Sequence, residues 1–195
     1  MKLKCVIFVF LGLIFAGARM PGEVWAFVVE PSFTDAKIQI PIEGSNRTIL
    51  TPARLVDGYI ETLTMDEKKA RNISLGEIRA SALQTASDVL DGMTVEIARD
   101  KNNVVQYAAI ESDDPLTASC VLAPDFAAYF RDILGPDLLV AMPHRYLVLV
   151  FSKQDDVHKK MAEFIINAYL SATWPVSREI FALENGTLTS QGVLE

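Results

Sequence analysis

One of the chain's two histidines, His144, stands in "LLVAMPHRYLVLVFS" (138–152), between two almost wholly apolar runs. An imidazole there could act as a general base or a ligand, but only beside a positioned partner. Cys120, the thiol that could partner it, lies at the end of an apolar stretch that reads as a buried strand. Lone buried cysteines ordinarily behave as small hydrophobes. Pro-His-Arg between two strand-like runs is also good turn chemistry, because histidine tolerates the left-handed region better than most residues. The pattern therefore predicts a turn role for His144. His144 and Arg145 are the candidate binding residues, and no residue is assigned a catalytic role.

The remaining candidates read as surface or core. His158 sits among Asp155, Asp156, Lys159 and Lys160, a solvated helix face. The two histidines make no His-x-x-x-His spacing for a metal. Glu111, Asp113 and Asp114 lack the loop pattern that holds calcium. No Gly-x-Gly-x-x-Gly, Walker or Gly-x-Ser-x-Gly motif is present, so no cofactor and no metal is expected. Tyr169 and Trp174 read as aromatics at the edge of a core.

The elements that must position these residues are partly visible. Thr51-Pro52 offers an N-cap and a first-turn proline, predicting a helix through "ARLVDGYIETL". "KIQIPI" alternates like an edge strand ended by Pro41. "TMDEKKARN" is a charged short helix or loop. Ser74 and Glu77 form a capping box ahead of a helix over 75–90, with Ile78, Ala82, Thr85 and Val89 on one face. "MTVEIA" and "VVQYAAI" read as strands joined by "RDKNN", and "LTASCVLA" as another. Pro124 to Gly135-Pro136 brackets a short helix. A long helix over 154–172 buries Val157, Met161, Ile165, Ala168 and Ala172, with Phe164 beside that stripe. Asn185-Gly186 marks a final hairpin. These signals predict a single α+β domain with a mainly antiparallel sheet, whose central hairpin (138–151) is packed by helices.

Residues 1–26 have the form of a signal peptide: basic Lys2 and Lys4, an apolar run from Cys5 to Ala18, and a small-x-small Val24-Trp25-Ala26. The expected cleavage is after Ala26. The apolar run would reach roughly 21 Å as a helix, short of a membrane span. The domain then comprises a lead-in over 27–71, a core over 72–189 and a tail over 190–195. A formal net charge of −7 disfavours nucleic acid and anionic membrane surfaces as partners. Removal of the leader leaves Cys120 as the single cysteine, so no internal disulfide is expected.

Three segments, "NISLGEIRASALQ", "LAPDFAAYFRDILGPDLLVAMPHRYLVLVF" and "WPVSREIFALENGTLT", resemble the YtpQ-like family of uncharacterised bacterial proteins. The resemblance spans about residues 72–189. That family's pattern has a Ser-x-x-Glu-Leu helix, a Leu-Leu-Pro-Asp segment and a hairpin with Pro-x-Arg at its reversal. Here Pro136 stands before Asp137 where the family has glycine, His144 where asparagine is usual, and Tyr146 and Asn185 in place of aspartates. The matching positions are turn and core residues. The resemblance thus implies a fold and carries over no catalytic or ligand residue.

The expectation is an exported protein, periplasmic or secreted, acting as a non-catalytic binding or envelope-associated module with an envelope protein as its partner class. Two alternatives stand beside it: a hydrolase-like enzyme whose site the sequence order conceals, and a signal-anchored, periplasm-facing protein.

Overall fold

The computed structural model describes residues 24–184 and 186–195. Residues 1–23 of the expected leader (1–26) and Asn185 of the final hairpin turn lie outside the described residues. The fold is α+β, built on two antiparallel sheets.

The chain enters as β1 (Val24–Pro31), touches the sheet edge as β2 (Ile40–Pro41), then forms β3 (Thr48–Val56) and β4 (Tyr59–Thr62). These four make the first sheet, with β3 central between β1 and the short pair β2 and β4. The expected helix after Thr51-Pro52 is therefore corrected to a β-hairpin. Asp57 and Gly58 turn it with φ of 50° and 84°, the left-handed pair that a two-residue hairpin requires. Pro52 is tolerated inside β3 because β2 pairing ends at Leu50 and β4 pairing begins at Ala53. Its carbonyl accepts from the Leu63 N–H at 2.8 Å, so its ring nitrogen faces that same gap.

The first sheet also moves the domain boundary. Val24, Trp25 and Ala26 pair with Leu55, Arg54 and Ala53, and Ala26 and Ala53 are both buried. A chain cut after Ala26 would lose the first three residues of β1. The domain as folded starts at or before Val24.

Next come α1 (Met65–Ala70) and α2 (Leu75–Gly92), each opened by a complete capping box, Thr64 with Glu67 and Ser74 with Glu77. Helix α2 buries Ile78, Ala82 and Thr85 of the expected stripe together with Ala86 and Leu90, while Val89 is only partly covered. Strands β5 (Val95–Arg99) and β6 (Val105–Glu111) follow.

"LTASCVLA" is not a strand but a wholly buried 3-10 helix over Thr117–Leu122. Asp114 starts it: its carboxylate accepts from the Leu116 N–H at 2.8 Å and its carbonyl from Thr117. This turn after Pro115 outcompetes extended pairing for a short apolar run that periodicity alone cannot classify. Helix α3 (Phe126–Leu134) ends at Gly135, whose φ of 92° suits glycine.

Strands β7 (Leu138–His144) and β8 (Leu147–Ser152) form the expected hairpin, at the centre of a six-stranded sheet ordered β5, β6, β8, β7, β9, β10. The expected helix over 154–172 is broken at Met161 into α4 (Val157–Lys160) and α5 (Ala162–Ser171). The break leaves both Val157 and Ile165 packed against the same sheet face. Strands β9 (Glu179–Glu184) and β10 (Thr187–Val193) close the sheet.

The six-stranded sheet has two unlike faces. One, carrying Ala108, Ile110, Val140, Met142, Val148, Val150 and Phe181, is sealed under the 3-10 helix, α2, α3 and the first sheet. The other, carrying Leu139, Ala141, Leu147, Leu149, Phe151 and Ile180, is covered by α4 and α5. A buried polar cluster ties the two sheets. The Glu179 carboxylate accepts from Ser45 at 2.7 Å, from Thr48 and from Ser190 at 2.9 Å, while Ser177 bonds Thr48 at 2.7 Å.

Candidate functional site

Helix α5 packs on β7 and leaves the outer part of its sheet face uncovered. There the strand alternation sets Tyr107, Ala109 and Glu111 of β6 on one side of the sheet, with Ala108 and Ile110 in the sealed core. Pairing continues the floor outward and inward: Glu96 of β5 lies opposite Ala109, and Leu149 and Leu147 of β8 lie opposite Ala109 and Glu111. Phe164, Ala168 and Ser171 of α5, followed by Thr173 and Trp174, form the wall. The result is a solvent-open groove of about 470 Å³, within the size range of small-molecule sites. His144 and Tyr146 complete its lining.

His144 is not the turn residue that its setting predicts. It is the last residue of β7, opposite Leu147, and the two-residue turn is Arg145-Tyr146. It does not take the left-handed conformation either. A bulge at Met142-Pro143 shifts the register so that Pro143, which has no N–H to donate, needs no partner in β8. The Tyr146 N–H donates to His144 Nδ1 at 3.3 Å, which leaves Nε2 to carry the proton. Desolvation lowers the His144 pKa below its ordinary value, with the Glu111 carboxylate pulling the other way. Near neutral pH the groove therefore holds a neutral imidazole and two carboxylates, Glu96 and Glu111. Its lining contains no lysine or arginine.

Arg145, its neighbour, points into the opposite part of the molecule. Its Nε donates to Glu30 Oε1 of β1 at 3.0 Å, and its guanidinium carbon sits 4.7 Å from the Trp174 ring centroid. Its own N–H donates to the Trp174 carbonyl, and its carbonyl accepts from Ala118. Burial pushes the Glu30 carboxyl up from its ordinary value, and Arg145 opposes that by charge and hydrogen bonding. Arg145 is thus a clamp between the two sheets that also fixes the ring lining the groove.

The other candidates do not assemble. Cys120 is fully buried in the sealed core, and burial pushes its thiol up to about 12, so no thiolate is on hand as a nucleophile. His158 is half-buried at the start of α4, with Nδ1 3.2 Å from the Asp155 carbonyl oxygen and its ring edge-on to Phe151. Asp114 is committed to its turn. Tyr169 packs under the Arg178 guanidinium at 5.7 Å. Among the described residues, no group of three or more His, Cys, Asp and Glu side chains is placed to hold a metal ion. A second cavity of about 480 Å³ lies between β2, β3, α2 and the β9–β10 turn. It is mainly apolar, and Glu43 and Arg79 are its charged lining.

Sequence reasoning missed Glu96, Tyr107, Tyr146 and Phe164, and took Glu111 for a loop acid. The usable signals were weak: the half-polar alternation of "VQYAAIE", and a phenylalanine one place off the buried stripe of its helix. No family model, curated protein or solved structure matches this chain.

Proposed function

We propose that the protein is an exported, non-catalytic binding module whose binding surface is the groove between α5 and strands β5, β6 and β8. The observation that carries this reading is the groove itself. It combines an aromatic wall, a strand floor and a few convergent polar groups: a histidine, two carboxylates and two tyrosines meet in its lining. No nucleophile is hydrogen-bonded to His144 among the described residues, and the single described thiol is sealed away. Both facts favour binding over covalent chemistry.

The export half of the reading rests on the basic and apolar leader. Its expected cleavage after Ala26 would remove the first three residues of β1. The resemblance to YtpQ-like proteins belongs to the same proposal and adds no site residue to it. Among the described residues, no helix is long and apolar enough to cross a membrane.

A thermal-shift screen of small molecules tests the binding reading. Compounds that raise the Tm of the wild type should fail to do so for Phe164→Glu, which puts a charge on the groove wall. Hits that ignore this substitution would place the site elsewhere, and turnover of a hit would end the non-catalytic reading.

A further inference from the structure

Resting on the groove as the binding surface, we propose that its ligand is a small organic cation, an ammonium group on an apolar stem. The argument is charge and ring complementarity. Glu96 and Glu111 are exposed on adjacent strands along one side of the groove, and no lysine or arginine answers them in the lining. Neither carboxylate has a salt-bridge or hydrogen-bond partner among the described residues. The rest of the lining is aromatic and aliphatic. Phe164 and Trp174 are each 50% exposed, far more than core aromatics, and Tyr107 and Tyr146 are half-buried beside them. Carboxylates with uncovered aromatic faces attract a cation by charge and by ring quadrupole. The same features penalise an anion. Trp174 already takes one cation, the Arg145 guanidinium, against its ring. That contact holds the indole in place while its uncovered part lines the groove.

A groove of about 470 Å³ suits a ligand of metabolite size. Leu147, Leu149, Ala109 and Ala168 supply the surface that an alkyl or aryl stem would cover. His144, held neutral, adds a hydrogen-bonding edge to the lining without adding repulsion.

Calorimetric titration of the protein with n-hexylammonium, n-hexanol and n-hexanoate separates the possibilities. The ammonium should bind at least about tenfold more tightly than the alcohol, and the carboxylate most weakly. In Glu96→Gln/Glu111→Gln that preference should vanish while hexanol affinity stays within about twofold, since only charge has been removed. Equal affinity for ammonium and alcohol in the wild type overturns the cation assignment but leaves the groove as a binding surface. No binding of any of the three overturns the groove reading itself. The ammonium-to-alcohol ratio must also fall with rising ionic strength, and a salt-independent ratio contradicts the assignment even if the double variant fails to fold. A lysine-containing hexapeptide that binds more than about tenfold tighter than hexylammonium would replace the small molecule with a protein partner.

Discussion

The two faces of the six-stranded sheet are made from the same strands and do opposite things. On the sealed face, Leu138, Val140 and Met142 of β7 and Val148 and Val150 of β8 pack into one core with apolar residues of the 3-10 helix, α2, α3 and the first sheet. On the other, one broken helical segment covers the central strands and leaves β5 and β6 open, so Tyr107, Glu111 and Glu96 border a groove. The neighbours His144 and Arg145 divide along this line, one lining the groove and the other clamped to β1. The difference suggests a division of labour: substitutions on the sealed side should cost stability and spare binding, and substitutions in the groove should do the reverse.

The largest break in that pattern is expected at the clamp. Arg145→Met leaves Glu30 buried without its cation and should cost about 3 kcal/mol near neutral pH, read from urea unfolding. The folded Glu30 carboxyl already titrates above its ordinary value. The folded state therefore takes up that proton earlier than the unfolded state as pH falls. The deficit should shrink as pH drops through the raised value, and a pH-independent deficit would contradict the clamp.

Slightly smaller is the effect of Glu179→Ala, which strips acceptors from Ser45, Thr48 and Ser190 at the joint between the sheets. Roughly 2 kcal/mol of stability should be lost with groove binding intact. A chain beginning at Phe27 lacks three β1 pairings and should lose about 1–2 kcal/mol against one beginning at Val24. If the protein is exported, intact mass should place its mature N-terminus before Val24. Phe164→Ala and His144→Asn should move stability by no more than about 0.5 kcal/mol. Asparagine can still accept from the Tyr146 N–H. A loss of several times that size at either position would erase the distinction between the faces.

What could be read from the sequence was local. The Ser74–Glu77 capping box, the Gly135 stop and the central apolar hairpin each carry their own signal within a few residues, and each is present in the fold. Two segments misled because short-range signals conflicted. Thr51-Pro52 resembles a helix start, yet Asp57-Gly58 a few residues later dictates a hairpin, and long-range pairing with β1 decided for the hairpin. The 3-10 helix around Cys120 has a strand's composition, and only the Asp114 turn ahead of it tips the balance. His144 was placed one residue too far along, because the bulge at Met142-Pro143 lengthens β7. The groove was out of reach for a different reason. Glu96, Glu111, His144 and Phe164 come from separate elements, and their meeting depends on how much of the sheet α5 covers, which no local pattern encodes.

The most direct test of the groove as the functional surface is a map of backbone amide shifts during titration with n-hexylammonium. Shifts concentrated at Glu96, Tyr107, Glu111, His144 and Trp174, with the α2 and 3-10 helix amides unmoved, are the expected result. Shifts centred on the second cavity, around Leu75, Arg79 and Leu188, or the absence of any saturable shift, would contradict it.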